Sequence, residues 1–448
     1  MTMQEQSPVT ERQSDVVPAV TPRTMWKVAS VSLIGNMIEF YDFFIYATAA
    51  ALVFPHTFFP ALGSAAGTVA SFATLGVAFV VRPLGSVVFG HMGDRLGRKA
   101  TLVITLLMMG VATLLVGLMP TAAQIGVLAP VLIVLLRVLQ GLAAGGEWAG
   151  AVLYAAEYAP GNRRGFWSSF PPVGAGFALA TANLAFILVG LSMDQSAFIS
   201  YGWRIPFLFS TVLVAVGLYI RLRTAETPIF KQHLAAGRPA RLPLADVIRF
   251  QPRQVLLAAG GVISVFVLYF TGSTYLVNYG TTVLNHNRNA VLTIVMAGGV
   301  AYSIVCLGFG RLSDSYGRRR MLMVAVGLGV VWSFVAFPLA KTGSLTAFAA
   351  VVIGFLAISG AGNGPLGAFF SELYHTHYRY TAAALSYNIG SVVGGGIAPL
   401  IIASIAASSG TAALAWFIGA LGLTSLVCLA FLTETRTHRL DAADLARQ

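Results

Sequence analysis

The stretch Gly90–Lys99, GHMGDRLGRK, lies between two long apolar runs, and a close copy returns at Gly310–Arg320 as GRLSDSYGRRR. Gly90, Asp94, Gly97, Arg98 and Lys99 are matched by Gly310, Asp314, Gly317, Arg318 and Arg319, each 220 residues later. Glycine permits the tight turn that a short connection between two helices needs, because it adopts φ > 0 without a side-chain clash. The aspartate can cap the following helix or pair with an arginine, and the basic residues hold to the wet side of a bilayer. Repetition at this distance divides the chain into two homologous halves.

The rest of the composition fits that reading. Of 448 residues, 57% are hydrophobic and only 10% are charged, against about 25% charged in a soluble domain. Long apolar runs with few charges read as membrane spans of about 20 residues each. A net charge of +12 admits nucleic acid as a partner, but its placement argues against one. Arginine and lysine gather in alternate loops, the pattern of a multi-pass membrane protein. Cys306 and Cys428 lie inside apolar runs without metal-ligand spacing, which suits packing residues. The first 26 residues lack the basic start, apolar centre and cleavage site of a signal peptide, and read as a cytoplasmic tail.

Candidate spans fall at 27–54, 67–90, 99–119, 125–157, 164–191 and 202–223, then at 252–284, 290–310, 319–340, 345–374, 379–407 and 411–433. The expected organisation is a tail at 1–26, a six-helix bundle at 27–223, a cytoplasmic linker at 224–251, a second bundle at 252–433 and a tail at 434–448. Arg95, Arg98 and Lys99, Arg163 and Arg164, Arg318–Arg320, Arg379 and the linker all fall on one side. Only Arg204, Arg288 and Lys341 fall on the other. Both termini are therefore expected in the cytoplasm. Every backbone polar group must be bonded in hydrocarbon, so the fold class is all-α, with twelve transmembrane helices in two pseudo-symmetric bundles.

Further motifs sharpen the reading. These are GNMIEFYDFFIY at Gly35–Tyr46, VRPLG at Val81–Gly85, LLRVLQGLAAGGEWAGA at Leu135–Ala151, GWRIPF at Gly202–Phe207 and YRYTAAALSYNIGSVVGGGIAP at Tyr378–Pro399. With the repeated loop, they resemble the major facilitator superfamily and, within it, the metabolite:proton symporters, over about residues 25–435. The resemblance implies two rocking halves, a central site and transport of a small organic acid or betaine-like metabolite with protons. It also implies an acidic and a basic residue at the positions of Asp42 and Arg137.

Ionisable groups inside a membrane are costly and are usually paired or functional. The first half holds five: Glu39 and Asp42, Arg82, and Arg137 and Glu147. The second half holds none at its span centres, so the first half is expected to handle charge. Glu39, Asp42 and Tyr46 share one helical face, as do Arg137, Gln140 and Glu147. Asp42 and Arg137 fall near mid-span and are expected to form an ion pair. The other reading of that pair is a simple lock between two helices, which leaves Glu39 or Glu147 as the proton site. Arg82 either contacts substrate or snorkels to the interface. Glu157 and Glu372 end corresponding spans, each followed by arginine, which suits latches to the two glycine-rich loops. Asp94, Arg95, Gly97, Arg98, Asp314, Gly317 and Arg318 complete the gating set.

The second half offers polar side chains instead: Thr271, Tyr275 and Asn278 on one face, with Asn363 and Asn388 from later spans. They are candidate substrate contacts, although an amide in hydrocarbon can equally bind a neighbouring helix. No nucleophile motif, phosphate loop or zinc motif occurs. The expectation is a plasma-membrane transporter working as a monomer in the bilayer. It needs no catalytic residue, metal or cofactor. Two rivals are a proton-driven exporter on the same fold and a non-transporting sensor. The GxxxGPxxGG run typical of exporters is absent from Ser168–Thr181, and no soluble domain is added for sensing.

Overall fold

The computed structural model describes residues 22–96, 98–223, 243–375 and 378–437. Eleven helices among them are long and apolar enough to cross a bilayer. In the first half these are α1 (Pro22–Leu52), α2 (Pro60–Phe89), α4 (Leu128–Tyr158), α5 (Gly161–Ser192) and α6 (Gly202–Ile220). In the second half they are α7 (Pro252–Val283), α8 (Arg288–Tyr316), α9 (Arg318–Ala340), α10 (Leu345–Leu373), α11 (Arg379–Ala406) and α12 (Ser408–Ala430). A shorter apolar helix, α3 (Val103–Gly117), stands where the third span is expected. No strand occurs among the described residues.

The two halves meet along α5 with α8 and α2 with α11. Glycines set both approaches. A Cβ on Gly299 would stand 2.6 Å from the carbonyl oxygen of Gly176, and one on Gly76 would stand 3.0 Å from that of Gly396. Any side chain there would push the halves apart, which is how small residues admit close helix contact in a membrane.

Irregular turns interrupt α4, α7 and α11. The helix of α4 stops at Ala144 and restarts at Glu147, with the carbonyls of Gly145 and Gly146 at the break. They are taken from outside. Ser86 Oγ donates to Gly145 O, Asn388 Nδ2 donates to the same oxygen at 3.0 Å, and Tyr380 OH donates to Gly146 O. Tyr380 and Asn388 belong to α11, so the second half caps a break in the first. In α7 the turns widen at Thr271–Tyr275 and Tyr279–Val283, and in α11 at Val392–Ile397. Such wide turns are rare and recur at working sites of helices.

The expected linker and second tail are redrawn in part. Residues 224–242 lie outside the described residues, and Pro243–Phe250 forms a short helix with Val247 buried. Residues 434–435, expected to open a free tail, pack into the bundle: Thr435 is fully buried and its hydroxyl donates to Glu372 Oε2 at 2.9 Å. A carboxylate beside a helix start explains the fold-back. Glu434 accepts the backbone N–H of Arg318 at 2.7 Å and of Arg320 at 3.3 Å, capping the N-terminus of α9.

Candidate functional site

A small cavity, with room for about one water molecule, lies among residues of the first half. Its charged walls are Glu39 and Asp42 of α1, Arg82 of α2 and Arg137 of α4, and Gln140 adds an amide. Phe40, Phe43, Ala78, Met109 and Ala144 form the apolar remainder. Helical spacing accounts for this convergence: Glu39 and Asp42 are three apart, as are Arg137 and Gln140, so each pair presents to one face.

Asp42 does not pair with Arg137. Among the described residues no ion pair within 4 Å joins them. Thr113 of α3 donates to Asp42 Oδ2 at 2.9 Å and accepts from Gln140 Nε2 at 2.7 Å, so α1, α3 and α4 are joined by a neutral relay. The same hydroxyl also lies 3.0 Å from the carbonyl of Met109. Arg137 lays its guanidinium on the Tyr46 ring instead, 3.1 Å from the centroid, and Tyr46 OH is held to Thr74 Oγ1 at 2.5 Å. The expected direct pair is therefore replaced by two separate holds. A hydroxyl stabilises the carboxylate and a ring face stabilises the cation.

Arg82 does not snorkel. It is 5% exposed, and its guanidinium lies 4.4 Å from the Phe79 centroid and 5.2 Å from that of Phe43. Glu147 stands off the cavity, where Thr105 Oγ1 of α3 donates to it at 2.6 Å. It is buried, one turn beyond Ala144.

The polar side chains expected from the second half do not line this cavity. Thr271 donates to Val267 O at 2.7 Å, and Asn363 donates to Ser359 O at 3.2 Å, each within its own helix. Tyr275 is buried and stacks on Tyr279. Asn278 reaches Ala51 O at 3.2 Å and Asn388 reaches Ser86 Oγ at 2.7 Å, so both tie the halves together. Aromatic rings take their place opposite the cavity wall. Phe270 packs edge-on against Phe43 and Phe79, Tyr269 stacks on Phe44, and Tyr387 lies parallel to Trp148 at 3.5 Å.

On the side of the basic loops, charge bridges the halves. Arg164 Nη1 donates to Glu372 Oε1 at 2.9 Å, and Arg318 Nε donates to Glu372 Oε2 at 3.2 Å. Asp314 accepts the backbone N–H of Gly165 at 2.8 Å and of Phe166 at 2.9 Å, and Arg318 Nη1 at 2.6 Å. Glu157 faces Arg379 Nη1 at 3.9 Å. Gly317, at φ 107°, makes the turn between α8 and α9. In the first copy of the motif, Gly97 lies outside the described residues, as do the side chains of Asp94, Arg95 and Arg98 and the surroundings of Gly90. On the opposite side, Arg288 Nη1 donates to Gln195 Oε1 at 2.7 Å and covers Phe198, again across the halves.

Thr113, Thr105 and Met109 are parts of the site that sequence reading missed. They sit in the third span, where nothing but spacing of four residues (Thr105, Met109, Thr113) marks one face.

Comparison with known proteins agrees with this architecture. The sequence model of the Major Facilitator Superfamily matches residues 32–395. The inner membrane metabolite transport protein YhjE of Escherichia coli strain K12 is 40% identical over 92% of this chain and 95% of its own. The shikimate transporter of the same strain is 38% identical over 85% of this chain and 87% of its own. The glycine betaine/proline/ectoine/pipecolic acid transporter OusA of Dickeya dadantii strain 3937 is 30% identical, over 96% and 87% respectively. Among solved structures, the proton:xylose symporter XylE bound to 6-bromo-6-deoxy-D-glucose superposes with a TM-score of 0.72 at 16% identity, covering 95% of this chain and 99% of that one. With its all-helical fold, its multi-pass apolar helices and its transporter relatives, this chain belongs to the major facilitator superfamily as a metabolite transporter and not an enzyme.

Proposed function

We propose that the protein is a proton-coupled symporter that imports a small organic acid or zwitterionic metabolite. In this reading it works as a monomer in the plasma (inner) membrane with both termini in the cytoplasm. The observation that carries the proposal is the state of Arg137. It is 1% exposed and lines the cavity, yet its Nε and Nη2 have no hydrogen-bond partner among the described residues. Buried guanidinium donors are costly to leave unpaired, and a substrate carboxylate would satisfy them through a planar two-point contact.

Asp42 is the proton carrier in this mechanism, and Thr113 makes its two states compatible with one geometry. With Asp42 ionised, the Thr113 hydroxyl donates to it. With Asp42 protonated, the carboxyl donates instead, and the hydroxyl turns to Met109 O, which already lies within reach. Gln140 continues to donate to Thr113 throughout. A neutral Asp42 leaves the cavity one negative charge poorer, which favours binding of an anion beside Arg137. Alternating access follows from rocking of the halves about the site, with the charged network on the basic-loop side breaking as that side opens.

Uptake into proteoliposomes tests the reading. A panel of organic acids and betaines is offered with and without an imposed pH gradient, acid outside. Accumulation that appears only with the gradient supports it. Accumulation independent of the gradient, or export under the same conditions, refutes it.

A further inference from the structure

On the side away from the basic loops the two halves are held together by a single guanidinium. Arg288 is the first residue of α8. A cation there opposes the helix dipole, whose positive end lies at the N-terminus, so α8 itself gives no reason for an arginine. Asn287 already caps the helix, accepting the N–H of Asn289 at 2.9 Å and of Ala290 at 3.3 Å. What holds Arg288 belongs to the other half.

Its Nη1 donates to Gln195 Oε1 at 2.7 Å, and its guanidinium lies 3.7 Å from the centroid of the Phe198 ring. Both partners sit on the short helix Gln195–Ser200, which Asp194 caps by accepting the N–H of Ala197 at 3.0 Å. Phe198 is buried and packs edge-on against Phe186 of α5, so the ring is a firm platform. Gly190 of α5 leaves the space for the arginine, since a Cβ there would collide with Arg288 Nη2. No carboxylate pairs with Arg288 within 4 Å among the described residues. A neutral amide and a ring face thus stand where carboxylates bridge the halves on the basic-loop side, through Glu372 and Asp314. Asn278 adds one more bond on the Arg288 side, to Ala51 O, and it too is neutral.

We propose that Arg288 is the latch of this side. It must leave Gln195 and Phe198 for the cavity to open away from the basic loops, and without a carboxylate partner it is the weaker of the two closures. That rests on the halves rocking as proposed above, and it holds whichever substrate or ion drives the cycle.

Distances between paired spin labels test it, on the full-length protein in lipid nanodiscs and in a background lacking Cys306 and Cys428. Ala123→Cys and Thr342→Cys place one label on each half on the Arg288 side, in the connections from α3 to α4 and from α9 to α10. Asn162→Cys and Ser315→Cys do the same on the basic-loop side. All four residues are exposed. Arg288→Gln should raise the ratio of long to short distances at the first pair by at least about tenfold, the worth of one hydrogen bond to a charged group. The second pair should grow no longer. Arg288→Glu suits the start of α8 better than arginine does, yet it should open the first pair as well. Adding Gln195→Arg to it exchanges the two partners and should bring the short distance back, a recovery that misfolding would not give. An unchanged first pair in both single variants overturns the inference, and so does the absence of recovery in the double variant. Glu372→Gln separates this from the rocking itself. Longer distances at the second pair in that variant, with none at the first in the Arg288 variants, remove the latch alone. A single distance at both pairs in every variant sinks the rocking of the halves and the latch together.

Discussion

Arg164 of the first half donates to Glu372 of the second at 2.9 Å, and Glu372 is buried at 5% exposure. Arg318 and Thr435 end on the same carboxylate. Breaking such a buried pair from one side costs about 3–5 kcal/mol, because the remaining charge stays uncompensated. For Glu372→Gln the expected outcome is a lower melting temperature and a basic-loop side that opens more often. The check is a single cysteine placed at Ala144 in a background lacking Cys306 and Cys428. It should react several-fold faster with an impermeant thiol reagent than in the parent, and an equal rate would leave the contact without a gating role.

Asp42→Asn should abolish accumulation driven by a pH gradient while exchange of substrate down its own gradient survives. The amide mimics the protonated carboxyl and cannot release a proton. Exchange and net uptake in the same vesicle preparation separate the two. If the variant still concentrates substrate, the proton site lies elsewhere, with Glu39 next in line.

Thr113→Val removes both the donor to Asp42 and the acceptor for Gln140 without changing volume much. Each buried polar group left unsatisfied costs about 1–3 kcal/mol, so the melting temperature and the uptake rate should both fall. Thr113→Ser keeps the hydroxyl and should stay close to wild type. Equal losses in valine and serine variants would assign the effect to packing of the methyl group rather than to the relay.

Tyr380→Phe and Asn388→Ala each remove a donor to the carbonyls at the break in α4. The contacts exist only while α11 lies against α4, so their loss should favour the separated arrangement of the halves. Hydrogen exchange of the Glu147–Tyr158 helix should quicken in both variants, and the double variant should be worse than either. Protection unchanged from wild type would argue that ordinary helix packing holds that segment.

The fold was legible because its signals are long-range and redundant. Motif copies 220 residues apart, loop charges and apolar runs all point to the same topology. The cavity was legible in part for a simpler reason: a charge inside a span has few acceptable positions, and Glu39, Asp42, Arg82 and Arg137 all face one space. Their pairing was not legible. Spacing along α1 and α4 shows which residues share a face, but the rotation of α3 between them decides that Thr113 reaches Asp42 first. The second-half residues misled for a related reason. A threonine in a helix can satisfy its hydroxyl on the carbonyl four residues back, as Thr271 does on Val267, so polarity alone marks no site. Asn278 and Asn388 do need outside partners, and they find them on the other half. The glutamate beyond the last span carried no signal at all, since one acidic residue among basic ones reads as solvent-exposed.

That glutamate also sets an order of events during synthesis. Glu434 follows Arg318 by 116 residues, and it is the group that accepts the first N–H of α9. While the chain is being made, α8, α9 and the loop between them must wait for three more helices before their cap arrives. Thr435, which completes the shell around Glu372, arrives with it. The charged seal on that side therefore closes last, after both bundles have been inserted. A chain cut after Ala430 would keep every helix and lose the clasp, so tags and truncations belong beyond Arg436.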